Sequence, residues 1–183
     1  PEQMAELFSD IPEAIENTKR ILEQTPIDFE FGIPKNKKCY TGNHEEDVRM
    51  LRRLADEGLR YRYSNPTSQM LERLETELAT IEQLNFTPYF LINWDIVRFA
   101  SEQGFFHIGR GSGANSLVAY CLRITDVDPI ELDLYFERFI NPSRRNPPDF
   151  DLDFSHTDRD TIRQYIFDKY KGHVALVGSY STF

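Results

Sequence analysis

Cysteine is scarce: Cys39 and Cys121 are the only two in 183 residues. They lie far apart and form no CxxC pair, which excludes a disulfide framework and a thiolate zinc site. A reducing, cytoplasmic setting is expected. Long apolar runs are lacking as well. No window approaches the roughly 18 residues of a membrane span, and the opening PEQMAELF lacks the cationic stretch of a signal peptide. The chain is expected to be soluble, with no membrane partner. Basic residues are outnumbered, 21 against 30 acidic, for a net charge of −9. Taken whole, that balance argues against a phosphate-rich partner. Internal repeats and low-complexity tracts are absent.

What is present suffices for a packed core: 40% hydrophobic and 13% aromatic residues. At roughly 100–200 residues per domain, the length allows one domain, or one with an appended helical piece. The charge is unevenly spread. Residues 1–97 hold 11 basic and 18 acidic residues (−7), residues 98–145 hold 6 of each, and residues 146–183 hold 4 and 6 (−2). In the neutral middle stretch all the cations are arginines (Arg98, Arg110, Arg123, Arg138, Arg144, Arg145), whose planar fork suits phosphate oxygens.

Helical periodicity dominates the first half. Asp10–Gln24 reads as a helix capped by Asp10, with Ile15, Ile21 and Leu22 on its apolar face. Thr25–Thr41, broken by Pro26, Gly32 and Pro34, reads as an extended connection. Helices are predicted over His44–Arg62 and Thr67–Leu84, the latter with a stripe of Leu71, Leu74, Leu78 and Ile81 and its glutamates elsewhere. Another, capped by Thr87 with Pro88 next, runs to just before Gly104 and is apolar nearly all round. Beyond it the texture alternates: strand Phe105–Ile108, a glycine loop, helix Asn115–Arg123, a short helix at Leu134–Phe139, strand Asp149–Phe154, helix Asp158–Tyr170 and a final strand in VALVGSYSTF. The predicted class is α+β. A start at Pro1 and a strand at the very end suggest a piece of something longer.

Three segments could carry chemistry. In PPDFDLDF the alternation puts Asp149, Asp151 and Asp153 on one strand face and Phe150, Leu152 and Phe154 on the other. Carboxylates about 7 Å apart along a strand repel unless cations lie among them. Hard oxygens without His or Cys suit Mg²⁺ or Mn²⁺, and a carboxylate-bridged pair of such ions runs phosphoryl and nucleotidyl transfer. An exposed edge strand guarded by charge is the plain alternative. The spacing excludes an EF-hand.

The second segment, Gly109-Arg110-Gly111-Ser112-Gly113-Ala114-Asn115-Ser116, lies between a strand and a helix, where backbone N–H groups can approach phosphates. It is no P-loop, since no Gly-Lys-Ser/Thr follows, but it matches the G-x-G-x-x-A of a dinucleotide turn. Steric need alone would also explain its glycines. The third segment, Phe136-Glu137-Arg138-Phe139, places Arg138 between the anion-binding turn and the carboxylate strand, or else is a solvated ion pair. The histidines at 44, 107, 156 and 173 are scattered and read as surface or packing residues.

The run GRGSGANSLVAYCLRITDVDPIELDLYFERFINPSRRNPPDFDLDF resembles the palm segment of the bacterial replicative DNA polymerases, the DNA polymerase III alpha subunits of polymerase family C. ERLETELATIEQLNFTPYFLINWDIV resembles the helices before it, so the likeness is strong over residues 66–183 and looser over 1–65. The resemblance implies a palm of the polymerase-beta-like nucleotidyltransferase type, incomplete here, preceded by a helical link (1–65) from an absent PHP domain. It implies Asp149 and Asp151 as the metal-holding aspartates, Asp153 as a supporting acid, and Arg110, Gly111, Ser112 and Arg138 around the incoming triphosphate. A third catalytic aspartate has no match in this chain.

It further implies two Mg²⁺ ions, replaceable by Mn²⁺, and primer–template DNA and deoxynucleoside triphosphates as partners. Sliding clamp, clamp loader and proofreading exonuclease subunits would engage mostly regions absent here. Template-directed addition of deoxynucleotides to a primer 3′ end is then the expected function of the whole protein, with this piece alone inactive. Three alternatives stand beside it: an error-prone, lesion-bypass member of the same family; a dinucleotide-binding oxidoreductase built on Gly109–Ala114; and a docking adaptor formed by the acidic residues 1–97.

Overall fold

The structure, a computed structural model, describes residues 2–25, 37–143 and 148–178. Packing divides the chain into two compact units, Pro1–Lys35 and Asn36–Phe183. The first is a helical hairpin of α1 (Glu2–Leu7) and α2 (Pro12–Gln24). Pro12 opens α2, where its missing N–H removes no helical bond. The cap position is taken by Ile11 without a side-chain bond, so Asp10 is not the cap. The sequence showed no α1, because six residues are too few to display a period. Most of the predicted connection Thr25–Thr41, with Lys35, lies outside the described residues.

The second unit runs α3 (His44–Arg62), α4 (Ser68–Gln83), α5 (Thr87–Glu102), β1 (His107–Arg110), a 3₁₀ turn at Gly111–Asn115, α6 (Leu117–Cys121), a 3₁₀ turn at Phe136–Arg138, β2 (Asp151–Phe154) and α7 (Arg159–Lys169). α3 has the bounds its sequence predicted. Asn43 caps it, accepting from the Glu45 N–H at 2.9 Å; acids fill its first turn and Arg60 and Arg62 its last, matching the helix dipole. Thr67 caps α4 by accepting from the Met70 N–H. Leu74, Leu78 and Ile81 are buried as predicted, whereas Leu71, at the helix start, is exposed. These helices close on α5 and α6 around Leu51, Leu59, Phe90, Leu91, Leu117 and Phe139.

α3 crosses α6 at Gly58, where an added Cβ would run into the Cys121 carbonyl oxygen. Gly58→Ala should therefore destabilise this chain, by about 1–3 kcal/mol for the overpacking. Helix propensity alone would favour alanine by about 1 kcal/mol, so the sign of the shift in urea midpoint decides which effect wins.

α5 departs from its apolar reading. Phe86 holds the cap position, and Thr87 is the first helical residue, its hydroxyl buried without a partner. Asp95, wholly buried, accepts from Lys169 Nζ at 2.6 Å, from Tyr165 Oη and Tyr170 Oη at 2.9 Å each, from Arg98 Nη2 at 3.0 Å and from Tyr40 Oη at 3.1 Å. This carboxylate pins α7 to α5, assisted by Phe99 stacked on Tyr165.

β1 and β2 form an antiparallel pair with His107 opposite Phe154, Ile108 opposite Asp153, Gly109 opposite Leu152 and Arg110 opposite Asp151. The class is α+β as expected, helical first and mixed after, with a two-stranded sheet among the described residues. Several details differ from the sequence reading: the first strand, predicted over Phe105–Ile108, runs from His107 to Arg110. The Leu134–Phe139 helix contracts to the 3₁₀ turn, α6 starts at Leu117 rather than at Asn115, and residues 174–178 form no strand. Residues 179–183, the rest of that predicted strand, lie outside the described residues. Among the described residues no helix is long and apolar enough to cross a membrane.

Candidate catalytic face

The antiparallel register brings the second and first of the three segments together. Arg110 ends β1 and faces the start of β2: its Nε donates to Asp153 Oδ2 at 2.6 Å and its Nη1 lies 3.4 Å from Asp151 Oδ2. Asp151 and Asp153 therefore share a face, as alternation required. That face is open to solvent, with 59% of the Arg110 side chain and 44% and 53% of the two aspartates exposed. The hydrogen bond from Arg110 to Asp153, with both carboxylate charges nearby, raises the guanidinium further above its ordinary range. Phe106 and Ile108, also exposed, continue the outer side of β1.

Asp149 is exposed and precedes the strand, which begins two residues later than predicted. The cause is Phe150: its N–H donates to Tyr89 Oη at 2.8 Å, a side-chain bond in place of a ladder bond, and its ring stacks on Tyr89 at 5.3 Å. The same ring packs edge-on to Phe90 and against Phe139, which anchors the strand entry to the core. Tyr89 was absent from the sequence-derived site; its place one turn into an apolar helix gave no signal of this contact.

The glycine turn rises beside that strand. Gly111 has φ +77°, and a Cβ there would stand 2.8 Å from Asp151 Oδ2, so the carboxylate rests on bare backbone. A Cβ on Gly113 would meet the Phe150 ring at 2.7 Å, and one on Gly109 would strike the Ile124 carbonyl. Packing thus accounts for each glycine of the turn. Gly111 and Ser112 form its exposed rim, while Gly113, Asn115 and Ser116 are buried beneath. The Phe136–Arg138 turn packs against it, held by buried Phe136 and Phe139, with Glu137 and Arg138 outward. Arg144 and Arg145 lie outside the described residues.

The far end of the glycine turn is fixed by a residue the sequence placed on a polar surface. Glu77 of α4 is 1% exposed. Its Oε1 accepts from the Leu117 N–H at 3.1 Å and from Arg73 Nε at 3.0 Å. Its Oε2 accepts from Ser116 Oγ at 2.9 Å and the Val118 N–H at 3.1 Å. Burial pushes this carboxyl above its ordinary range, and the N–H donors and Arg73 oppose that rise. Two backbone N–H groups, the Arg73 guanidinium and the Ser116 hydroxyl surround its two oxygens, the donors a carboxylate accepts from. A glutamate one turn from Arg73 looks like any exposed helix pair, so no periodicity could have found it.

Among the described residues no three His, Cys, Asp or Glu side chains converge to hold a metal ion by themselves. The aspartates nonetheless offer a hard-oxygen set that already gathers one cation, the Arg110 guanidinium. Cys121 is buried and its thiol pushed up to about 12, which removes it as a nucleophile. His107 Nε2 lies 3.0 Å from the Arg123 carbonyl, a packing contact. The dinucleotide alternative fits poorly, since the strand before the turn pairs antiparallel and α6 has five residues, unlike a parallel βαβ unit.

Comparison with known proteins shows the family. A family described as the bacterial DNA polymerase III alpha NTPase domain matches residues 49–183. The DNA polymerase III subunit alpha of Borreliella burgdorferi is 43% identical over 192 residues, covering 99% of this chain and 16% of that protein. Its counterpart in Bacillus subtilis is 42% identical over 99% of the chain. A protein named error-prone DNA polymerase from Symbiobacterium thermophilum is 42% identical over the whole chain and 17% of its own length. The chain spans about a sixth of the length of these relatives. With its glycine turn, FERF turn and DxD strand all inside the matched region, the chain belongs to the bacterial DNA polymerase III alpha family.

Proposed function

We propose that this chain is part of a DNA-directed DNA polymerase that adds deoxynucleotides to a primer 3′ end, and that it supplies the first part of the nucleotidyl-transfer palm over residues 66–183. Residues 1–65 then form the helical link before it. The observation that carries this reading is the pairing of β1 with β2, which sets Arg110 and the adjoining Gly111 beside Asp151 and Asp153 on one open face. A triphosphate and its cations need an anion-binding and a cation-binding surface side by side.

Asp149 and Asp151 would hold the divalent cations, Mg²⁺ or Mn²⁺, with Asp153 supporting and a third carboxylate coming from outside this chain. When bound, such ions activate the primer 3′-hydroxyl and neutralise the leaving pyrophosphate. The remaining residues bind and orient. Gly111 and Ser112 present backbone at the turn rim, and Arg110 and Arg138 flank it with guanidinium forks suited to phosphate oxygens. Placement and charge stabilisation account for most of the catalysis in such transfers. The net charge of −9 is compatible with DNA binding, because part of it is this carboxylate face.

The test is extension of a labelled primer on a template by the full-length protein with Mg²⁺ and deoxynucleotides. Extension is expected from the full-length protein and none from this chain alone. Extension by the isolated chain, dependent on its Asp149, would overturn the assignment of a missing ligand. A second reading, a lesion-bypass polymerase, is favoured by the relatives named error-prone. Copying past an abasic site at rates near those on intact template would select it.

A further inference from the structure

We propose that Glu77 and Arg73 are positioning residues for the triphosphate turn, acting on substrate placement through the backbone of residues 115–118. The inference rests on the polymerase reading above. Arg73 uses both arms: Nε pairs with Glu77, and Nη2 donates to the Asn115 carbonyl at 3.0 Å. Glu77 takes the Leu117 and Val118 N–H groups and the Ser116 hydroxyl, and that hydroxyl oxygen accepts in turn from the Ala119 N–H at 3.1 Å. Two side chains of one helix thus grip every residue from 115 to 118. The opposite end of the turn is tied to β2 through Arg110 and the strand pairing. Gly111 and Ser112 are the exposed arc between two fixed ends.

Stability does not explain this arrangement. A carboxylate taken out of water costs several kcal/mol, and an apolar side chain of similar volume is often as stabilising at such a site. What the pair supplies and an apolar residue lacks is a fixed orientation for backbone groups. Since an error of about 1 Å in placement can cost about 100-fold in rate, a loosened turn should show first in the handling of the triphosphate.

The experiment is steady-state primer extension by the full-length protein carrying Glu77→Gln or Arg73→Lys. Gln keeps the volume but turns an amide N–H₂ toward donors. Lys keeps the charge at the rim but has one arm, so it folds even if Glu77→Gln does not. Expected is a rise of about tenfold or more in KM for the deoxynucleotide with Glu77→Gln, and a smaller rise with Arg73→Lys. Primer–template affinity should stay within about twofold of the parent. Nucleotide KM unchanged within about twofold in the folded variants, or equal losses in nucleotide and DNA affinity, would overturn the proposal. Failure of the unsubstituted protein to extend a primer at all would instead bring down the polymerase reading, and this inference with it.

Discussion

Asp151→Asn in the full-length protein is expected to lower kcat for primer extension by about 10³-fold or more, with primer–template affinity little changed. Asp151 faces solvent across from Arg110, and its carboxylate leans on the bare backbone of Gly111. Asn preserves the shape and one oxygen, so the turn keeps its neighbour. The charge that would hold a cation is lost. The same substitution should leave the melting temperature nearly untouched, because the Arg110 contact is solvent-screened. Activity and stability therefore separate cleanly at this residue. Near-parental turnover would remove Asp151 from the metal set, and a large fall in melting temperature would mean that its role is structural.

Asp95→Ala should do the reverse, costing about 2–3 kcal/mol of stability because it strips a shared charged acceptor from buried Tyr170 and from the partly exposed Lys169, Arg98, Tyr40 and Tyr165. Lys169 would lose its carboxylate, and the hydroxyls of Tyr40, Tyr165 and Tyr170 would lose a shared acceptor. Replacing both charges, as Asp95→Leu with Lys169→Met, should cost less than Asp95→Ala alone. The effect should also depend on pH. Burial would push the Asp95 carboxyl upward, but bonds from Lys169, Arg98, Tyr165 and Tyr170 reverse this and hold it below the ordinary range. A carboxyl lower in the folded than in the unfolded chain stabilises above the unfolded value of about 3.9 and loses that contribution as pH falls below it. The gap in melting temperature between parent and Asp95→Ala should be full at neutral pH and shrink below about pH 4. A gap independent of pH down to about 3 would show that lost packing, not charge, is the cause.

Much of this was legible from residue order. α3 could be placed because Val48, Leu51, Leu54 and Ala55 keep helical spacing, a local pattern that the Asn43 cap, acidic first turn and basic last turn reinforce. The alternation correctly set Asp151 and Asp153 on one face and Phe150 and Leu152 against the core, while Phe154, expected there too, is only half-buried at the strand end and outside the core cluster. The glycine turn, the FERF segment and the DxD strand were enough to indicate the family before any contact was known. The caps adjoining Pro12 and Pro88 were misjudged: Ile11 and Phe86 hold those positions and neither makes a side-chain capping bond.

Residue order, then, determined by itself the α+β class, the family and which charged residues share the candidate face, because period, turn chemistry and short motifs are local properties. Only the tertiary structure decided which groups meet. It set Arg110 across from Asp151 through strand register, put a stacked tyrosine under the entry to the carboxylate strand, and buried Glu77 and Asp95 among donors from distant elements. A charged side chain on a helix reads the same whether it faces water or a neighbour. Burial with its full set of partners arises only when segments some 40 to 75 residues apart are packed together.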